Sequence, residues 1–243
     1  MAEKKPLGVL ILHGFTGSLD TVKGLVPTVE RLGLPYRMPV LRGHGTRYED
    51  LATVVARDWY EDAEKALAEL REEADRVVIV GLSMGGLVTL NLAMEHGKDL
   101  AGIVVVAPFL RCADPLSALT PLLKMLFPFW DSPNSFADAE LAKASTNYKK
   151  FPTATFSRLL NYANEIERRL GEVTVPTLIL HSRKDTIAHP IGATVIAERI
   201  KSDAKRLIWF ERSGHEMFQD LESAAVNQAV SDYLETFLEA KAS

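Results

Sequence analysis

Hydrophobic positions along the chain fall into two alternating rhythms. Short apolar runs recur at Gly8-Val9-Leu10-Ile11-Leu12, Tyr36 to Leu41, Val77 to Val80, Ala101 to Ala107, Thr177 to Leu180 and Arg206 to Phe210. Unbroken runs of this kind mark strands covered on both faces, as in a parallel sheet. Between them, apolar residues keep helical spacing. One such stretch runs from about Asp20 to Leu32, and another places Trp59, Ala63, Ala66, Leu67 and Leu70 among charged neighbours. A third carries Leu87, Leu90, Leu92 and Ala93 and closes at His96-Gly97; two more run from about Pro190 to Ile200 and from Leu221 to Leu238. Strands alternating with helices predict an α/β fold, a doubly wound and mostly parallel sheet with right-handed crossovers.

The rhythm stops at Pro108. From Phe109 to Leu170 no strand pattern is visible, and Pro115, Pro121, Pro128, Pro133 and Pro152 divide the segment into several helices. A block of that length is too long for a loop. Residues 1–108 and 171–243 therefore read as the core domain, and 109–170 as an inserted helical cap.

Chemically useful side chains gather just beyond the strands. The third run continues into Gly81-Leu82-Ser83-Met84-Gly85-Gly86, with a helical pattern starting at Leu87. A bare G-x-S-x-G turns up by chance in roughly one chain of this length in twelve. Strand, sharp turn and helix around it make it a nucleophile elbow, with the serine hydroxyl pushed out of the sheet. A serine hydroxyl needs a base, and the base needs an orienting group. In an α/β-hydrolase these follow the serine in the order acid, then histidine, at later strand ends. Thr177 to Leu180 runs into His181-Ser182-Arg183-Lys184-Asp185, and Arg206 to Phe210 into Glu211-Arg212-Ser213-Gly214-His215. We assign Ser83 as nucleophile, His215 as general acid/base and Asp185 as its orienting carboxylate. Two donors must meet the oxyanion of the tetrahedral intermediate. Met84 N–H supplies one, and Phe15, after the first strand, is assigned the other. His13 and His44 lie in glycine loops near this site with roles left open. His181 reads as structural, and His96 and His189 as solvated.

Three segments together resemble the bacterial monoacylglycerol lipases and their small carboxylesterase relatives. They are Leu12-His13-Gly14-Phe15-Thr16-Gly17, Leu41-Arg42-Gly43-His44-Gly45-Thr46-Arg47-Tyr48-Glu49-Asp50-Leu51, and Gly81 to Gly86. Pro152-Thr153-Ala154, Asp185 and His215 also match that family. The resemblance spans almost the whole chain and loosens between Phe109 and Asn147. It implies an α/β-hydrolase fold and hydrolysis of monoacylglycerols or medium-chain esters through an acyl-enzyme. A thioesterase or serine peptidase would use the same triad, and a non-enzymatic ligand receptor on this fold is the alternative outside catalysis.

Composition narrows the partners. The chain has 243 residues, 47% hydrophobic and 25% charged, with a net charge of −4. That balance makes no electrostatic case for nucleic acid. Cys112 stands alone, which excludes an internal disulfide or a cysteine-based metal site, and no metal or organic cofactor is expected. The apolar run from Leu7 to Leu12 is too short for a signal peptide, and no stretch approaches a membrane span, so a cytoplasmic location is expected. Leu116, Leu119, Leu122, Leu123, Met125, Leu126, Phe127, Phe129 and Trp130 make the cap greasy. They read either as a helix buried on its own domain or as an acyl-chain tunnel whose outer face touches micelles or membrane. Phe156, Leu159, Leu160, Ala163 and Ile166 form a stripe assigned to the tunnel's other wall.

Overall fold

The computed structural model describes residues 6–239. Residues 1–5 and 240–243, expected to belong to the core domain, lie outside them. Eight strands are present among the described residues: β1 Leu7–Leu12, β2 Tyr36–Arg37, β3 Arg76–Leu82, β4 Leu100–Val106, β5 Phe129–Asp131, β6 Lys150–Pro152, β7 Thr177–Ser182 and β8 Lys205–Phe210. Six form one sheet in the order β2-β1-β3-β4-β7-β8. Every neighbouring pair in it is parallel. Their C-terminal ends therefore share one edge, which is where an open α/β sheet builds its sites.

The helices are α1 Val26–Arg31, α2 Ala56–Arg71, α3 Met84–His96, α4 Thr120–Leu126, α5 Ala139–Ala144, α6 Thr153–Arg169, α7 Ile191–Arg199 and α8 Ser223–Glu239. Successive strand residues point to opposite faces. Leu10, Leu12, Ile79, Ile103 and Ile179 meet Trp59, Leu67, Leu90, Leu159 and Ile196 on one side. Val9, Ile11, Val78, Val80, Leu178 and Leu180 meet Leu25, Val29, Val226, Val230 and Leu234 on the other. Both faces are covered, which is why the strands carry no polar alternation.

Three expectations need correction. The strand expected from Tyr36 to Leu41 pairs only at Tyr36 and Arg37. Pro39 cannot donate to a ladder, and Leu41 N–H is committed to His13 Nε2 at 3.1 Å. The helix expected from Asp20 to Leu32 is two 3₁₀ turns, Leu19–Thr21 and Lys23–Leu25, followed by the short α1. Pro27 lacks the N–H that would close an α turn onto residue 23. The segment from Phe109 to Leu170 holds an antiparallel pair, β5 with β6, centred on Trp130 opposite Phe151. Three residues per strand are too few to register as a pattern.

That segment is also knitted to the sheet layers. In α6, Leu159, Tyr162, Ala163 and Ile166 are buried in the core cluster. By contrast, the greasy stretch faces outward: Leu122 is 67%, Met125 82% and Leu126 74% exposed. Among the described residues no helix is long and apolar enough to cross a membrane.

Candidate active site

Ser83 stands between β3 and α3 with φ 57° and ψ −114°. An L-residue held there stores about 1–3 kcal/mol of strain. Its surroundings over-determine the turn. Ser83 N–H donates to Val106 O at 2.9 Å, and its carbonyl accepts from Gly86 N–H at 3.0 Å and Phe109 N–H at 3.3 Å. A Cβ on Gly81 would lie 2.2 Å from both Gly85 O and Thr89 Oγ1, and one on Gly85 would lie 2.5 Å from Leu12 O. Glycine at both places lets the elbow press against the end of β1. Met84 opens α3, so its N–H is one of the amides a first turn leaves unpaired. Its side chain is fully buried, which leaves only the backbone to act.

Asp185 follows β7 and His215 follows β8. His215 Nδ1–H donates to Asp185 Oδ2 at 2.7 Å, leaving Nε2 as the free ring nitrogen. Asp185 Oδ1 accepts from Ile187 N–H at 2.8 Å and Ala188 N–H at 2.9 Å. His181 Nε2 lies 3.3 Å from Asp185 Oδ2 and 3.1 Å from Ala188 O. The expected structural histidine thus steadies the carboxylate from behind. Burial alone would raise the Asp185 pKa, but the His215 charge and the hydrogen bonds from His181 and His215 hold it below the usual carboxylate range. For His215, burial works downward and Asp185 more than offsets it, so the imidazole sits above its ordinary 6.5.

The loop after β1 is tied in by two histidines. His13 Nδ1–H donates to Gly14 O at 2.9 Å and its Nε2 accepts from Leu41 N–H. His44 Nδ1–H donates to Leu41 O at 3.1 Å, and its Nε2 accepts from Thr16 N–H at 3.2 Å. Both rings use both nitrogens and are neutral: burial lowers His13 to about 4, and burial with the neighbouring His13 lowers His44 to about 3. Phe15 sits between these anchors, its ring against Phe151 and Trp59 at centroid distances of 5.5 and 6.0 Å. Among the described residues no acceptor meets the Phe15 N–H. His96, expected to be solvated, instead lies 2.8 Å from Glu64; His189 is exposed.

Ser83, His215 and Phe15 border one cavity of about 440 Å³. Its apolar wall is Phe109, Trp130, Phe151, Phe156, Leu159 and Ile187. Of the greasy stretch only Trp130 reaches it. Both readings of the stretch from Leu116 to Trp130 are therefore corrected: it is neither buried on its own domain nor, apart from Trp130, a wall of the cavity, and its apolar surface faces outward. A helix of two turns with prolines at both ends cannot bury a side chain on every face. Around His215 the wall changes character, with Ser132, Ser135, Asn147 and Glu216. Asn147 and Glu216 lie outside the motifs legible in the sequence; Glu216 precedes Met217 and Phe218, both buried. Among the described residues no group of three or more His, Cys, Asp and Glu side chains is placed to hold a metal ion. A serine that borders the same cavity as a carboxylate-oriented imidazole has the side-chain types that acyl transfer uses.

Comparison with known proteins agrees with this equipment. The family model described as "Serine aminopeptidase, S33" matches residues 4–222. The chain is 31% identical over 217 residues to a thermostable monoacylglycerol lipase of Bacillus sp. (strain H-257), covering 88% of this chain and 84% of that protein. It is 25% identical over 228 residues to a carboxylesterase of Bacillus subtilis (strain 168), covering 93% and 92%. A solved structure reported for LipS and LipT, two metagenome-derived lipolytic enzymes, superposes with a TM-score of 0.90 at 28% identity, covering 96% of both chains. The monoacylglycerol lipase of Paleococcus ferrophilus superposes at 0.80 with 16% identity, a likeness of fold, covering 95% of both.

Proposed function

The chain belongs to the serine aminopeptidase S33 family within the α/β-hydrolases and is a serine ester hydrolase; on that premise we propose that it cleaves monoacylglycerols or other medium-chain acyl esters through an acyl-enzyme. One observation carries the reading: Ser83 borders the same cavity as an imidazole already engaged by a buried carboxylate. Ser83 Oγ attacks the ester carbonyl carbon, and its proton passes to His215 Nε2. The oxyanion draws on Met84 N–H and Phe15 N–H. The C–O bond to the alcohol breaks as His215 returns the proton to the leaving oxygen. Water then repeats both steps on the acyl-serine, releasing the acid. Asp185 keeps the ring in the tautomer with Nε2 free.

Residues 109–170 act in this reading as a cap over the cavity, with the acyl chain lying among Phe109, Phe151, Phe156 and Leu159. Each methylene buried there is worth up to ~0.8 kcal/mol, roughly fourfold in kcat/KM. The outward face of α4 is the surface offered to micelles or membrane. The relatives named as monoacylglycerol lipase and carboxylesterase support the substrate class, and the family's description keeps amide cleavage as a second reading.

A phosphonate carrying a long alkyl chain tests the chemistry. It should add one mass label to the wild type and none to Ser83→Ala, which should also lose ester turnover while remaining folded. A labelled or active Ser83→Ala would remove Ser83 from the reaction. Across a series of esters, kcat/KM should climb to medium chains and level off, with matched amides much slower. A flat series would put the acyl group in solvent.

A further inference from the structure

The loop bearing Phe15 lies directly against the nucleophile. A Cβ on Gly14 would sit 3.1 Å from Ser83 Cβ and 3.6 Å from Ser83 Oγ. A trans peptide is planar, so its N–H points opposite to its C=O. In the Gly14–Phe15 peptide the carbonyl accepts from His13 Nδ1–H at 2.9 Å and from Gly17 N–H at 3.3 Å. That engagement fixes the direction of the Phe15 N–H. The following peptide is held by its other end, where Thr16 N–H donates to His44 Nε2 at 3.2 Å. Both peptide planes flanking Phe15 are thus fixed by an imidazole, one at a carbonyl and one at an amide.

The loop needs holding. Thr16 sits at φ 63°, a left-handed conformation that a β-branched side chain resists. Leu41 in turn sets both tautomers. Its N–H donates to His13 Nε2 at 3.1 Å, leaving Nδ1 to carry the proton. Its carbonyl accepts from His44 Nδ1–H at 3.1 Å, leaving Nε2 bare. The rings meet edge on at 4.8 Å and both are buried. Phe15 and Thr16 border the cavity, whereas neither ring does. Two imidazoles kept out of the cavity, with all four ring nitrogens on backbone, have placement to contribute and no contact with substrate.

Resting on the assignment of Phe15 N–H to the oxyanion, we propose that His13 and His44 are positioning residues of the reaction. Keyed to each other through Leu41, they preset the Phe15 amide before substrate arrives. Each acts through one ring nitrogen, His13 through Nδ1–H and His44 through Nε2.

An asparagine amide reaches where Nδ1 stands and a glutamine amide where Nε2 stands, so opposite substitutions should rescue the two positions. His13→Asn keeps a donor for Gly14 O and His13→Gln does not. His44→Gln keeps an acceptor for Thr16 N–H and His44→Asn does not. On a medium-chain ester, kcat should be about tenfold lower in His13→Gln than in His13→Asn, with KM little changed. At position 44 the order should reverse, with His44→Asn about tenfold below His44→Gln. A long-chain alkyl trifluoromethyl ketone, whose hemiketal on Ser83 carries the oxyanion charge, should lose affinity in step with kcat. The matching secondary alcohol forms no oxyanion and should bind all four variants alike. Losses that follow Tm whichever amide is present would overturn the proposal and make the rings structural. Ketone and alcohol weakening together would overturn it too. Ring-nitrogen NMR of the wild type needs no variant to fold. It should show both histidines in the Nδ1–H form, with and without the ketone, and an Nε2–H form of either would overturn the proposal. A ketone that does not add to Ser83, or a Phe15 amide proton unmoved when it does, would strike the underlying reading of the site and the proposal with it.

Discussion

A serine at φ 57° and ψ −114° occupies a region that glycine enters freely and other residues do not. Ser83→Gly should therefore be more stable than Ser83→Ala by about 1–2 kcal/mol in urea unfolding, although both lack the hydroxyl. Equal stabilities would mean that the turn stores no strain at this residue. The pH profile is the second residue-scale consequence. His215 accepts the serine proton only when neutral, and Asp185 holds its pKa above 6.5 against burial. Turnover of a neutral ester should thus be full at alkaline pH and fall as pH drops through a midpoint above 6.5. Glu216 also pushes His215 upward, so Glu216→Gln should move that acid limb to lower pH. A limb unmoved by Glu216→Gln would indicate that Glu216 carries no charge over this range.

At the scale of elements, the site depends on how closely β1, β3 and α3 approach one another. A Cβ at position 85 would lie 2.5 Å from Leu12 O and 2.7 Å from His13 O, both backbone atoms that cannot swing away. Gly85→Ala should accumulate little folded protein, as read by soluble yield and circular dichroism. At Gly171, where a new Cβ would meet nothing closer than Lys201 Cε at 3.7 Å, the same change should be tolerated. The two loops bearing the acid and the histidine are held by different means. Asp220 accepts from Gly214 N–H at 2.6 Å and Ala137 N–H at 2.7 Å. It thereby staples the His215 loop to the segment inserted between β4 and β7. The Phe15 loop is held to that same segment, since Tyr148 N–H donates to Thr16 O at 2.9 Å. Both sides of the cavity are braced by a stretch remote in sequence.

For the whole molecule, the notable imbalance is the outward apolar face of α4, with Met125 82% and Leu126 74% exposed. Scattered exposed hydrophobes are ordinary, but contiguous ones mark a contact surface. If that surface meets aggregated lipid, Met125→Ser with Leu126→Ser should lower turnover of an ester presented in micelles several-fold relative to the same ester kept monomeric. An equal effect on both forms would assign the face to folding instead. The anchoring at the far side is electrostatic. Glu167 of α6, nearly buried, receives Arg111 at 2.5 Å and Arg199 of α7 at 3.1 Å. That end of the insertion is fixed in the core while α4 is left outside it.

The pattern of apolar runs was enough to determine the parallel α/β sheet, because a strand covered on both faces has no room for polar alternation. The elbow was legible as well, since glycines at 81 and 85 have one reading when a strand precedes and a helix follows. Chain order likewise pointed to Asp185 and His215, and folding brings them to 2.7 Å. What periodicity could not decide was anything set by a partner distant in sequence. The strand after Tyr36 ended early because Leu41 N–H went to His13, and the greasy run turned outward because other residues already walled the cavity. Glu216 and Asn147, 69 residues apart, became a pair only when the His215 loop met the insertion. Local sequence determines which backbone conformations are cheap. Which polar side chains pair beside a cavity depends on the packing of segments that never adjoin in the chain.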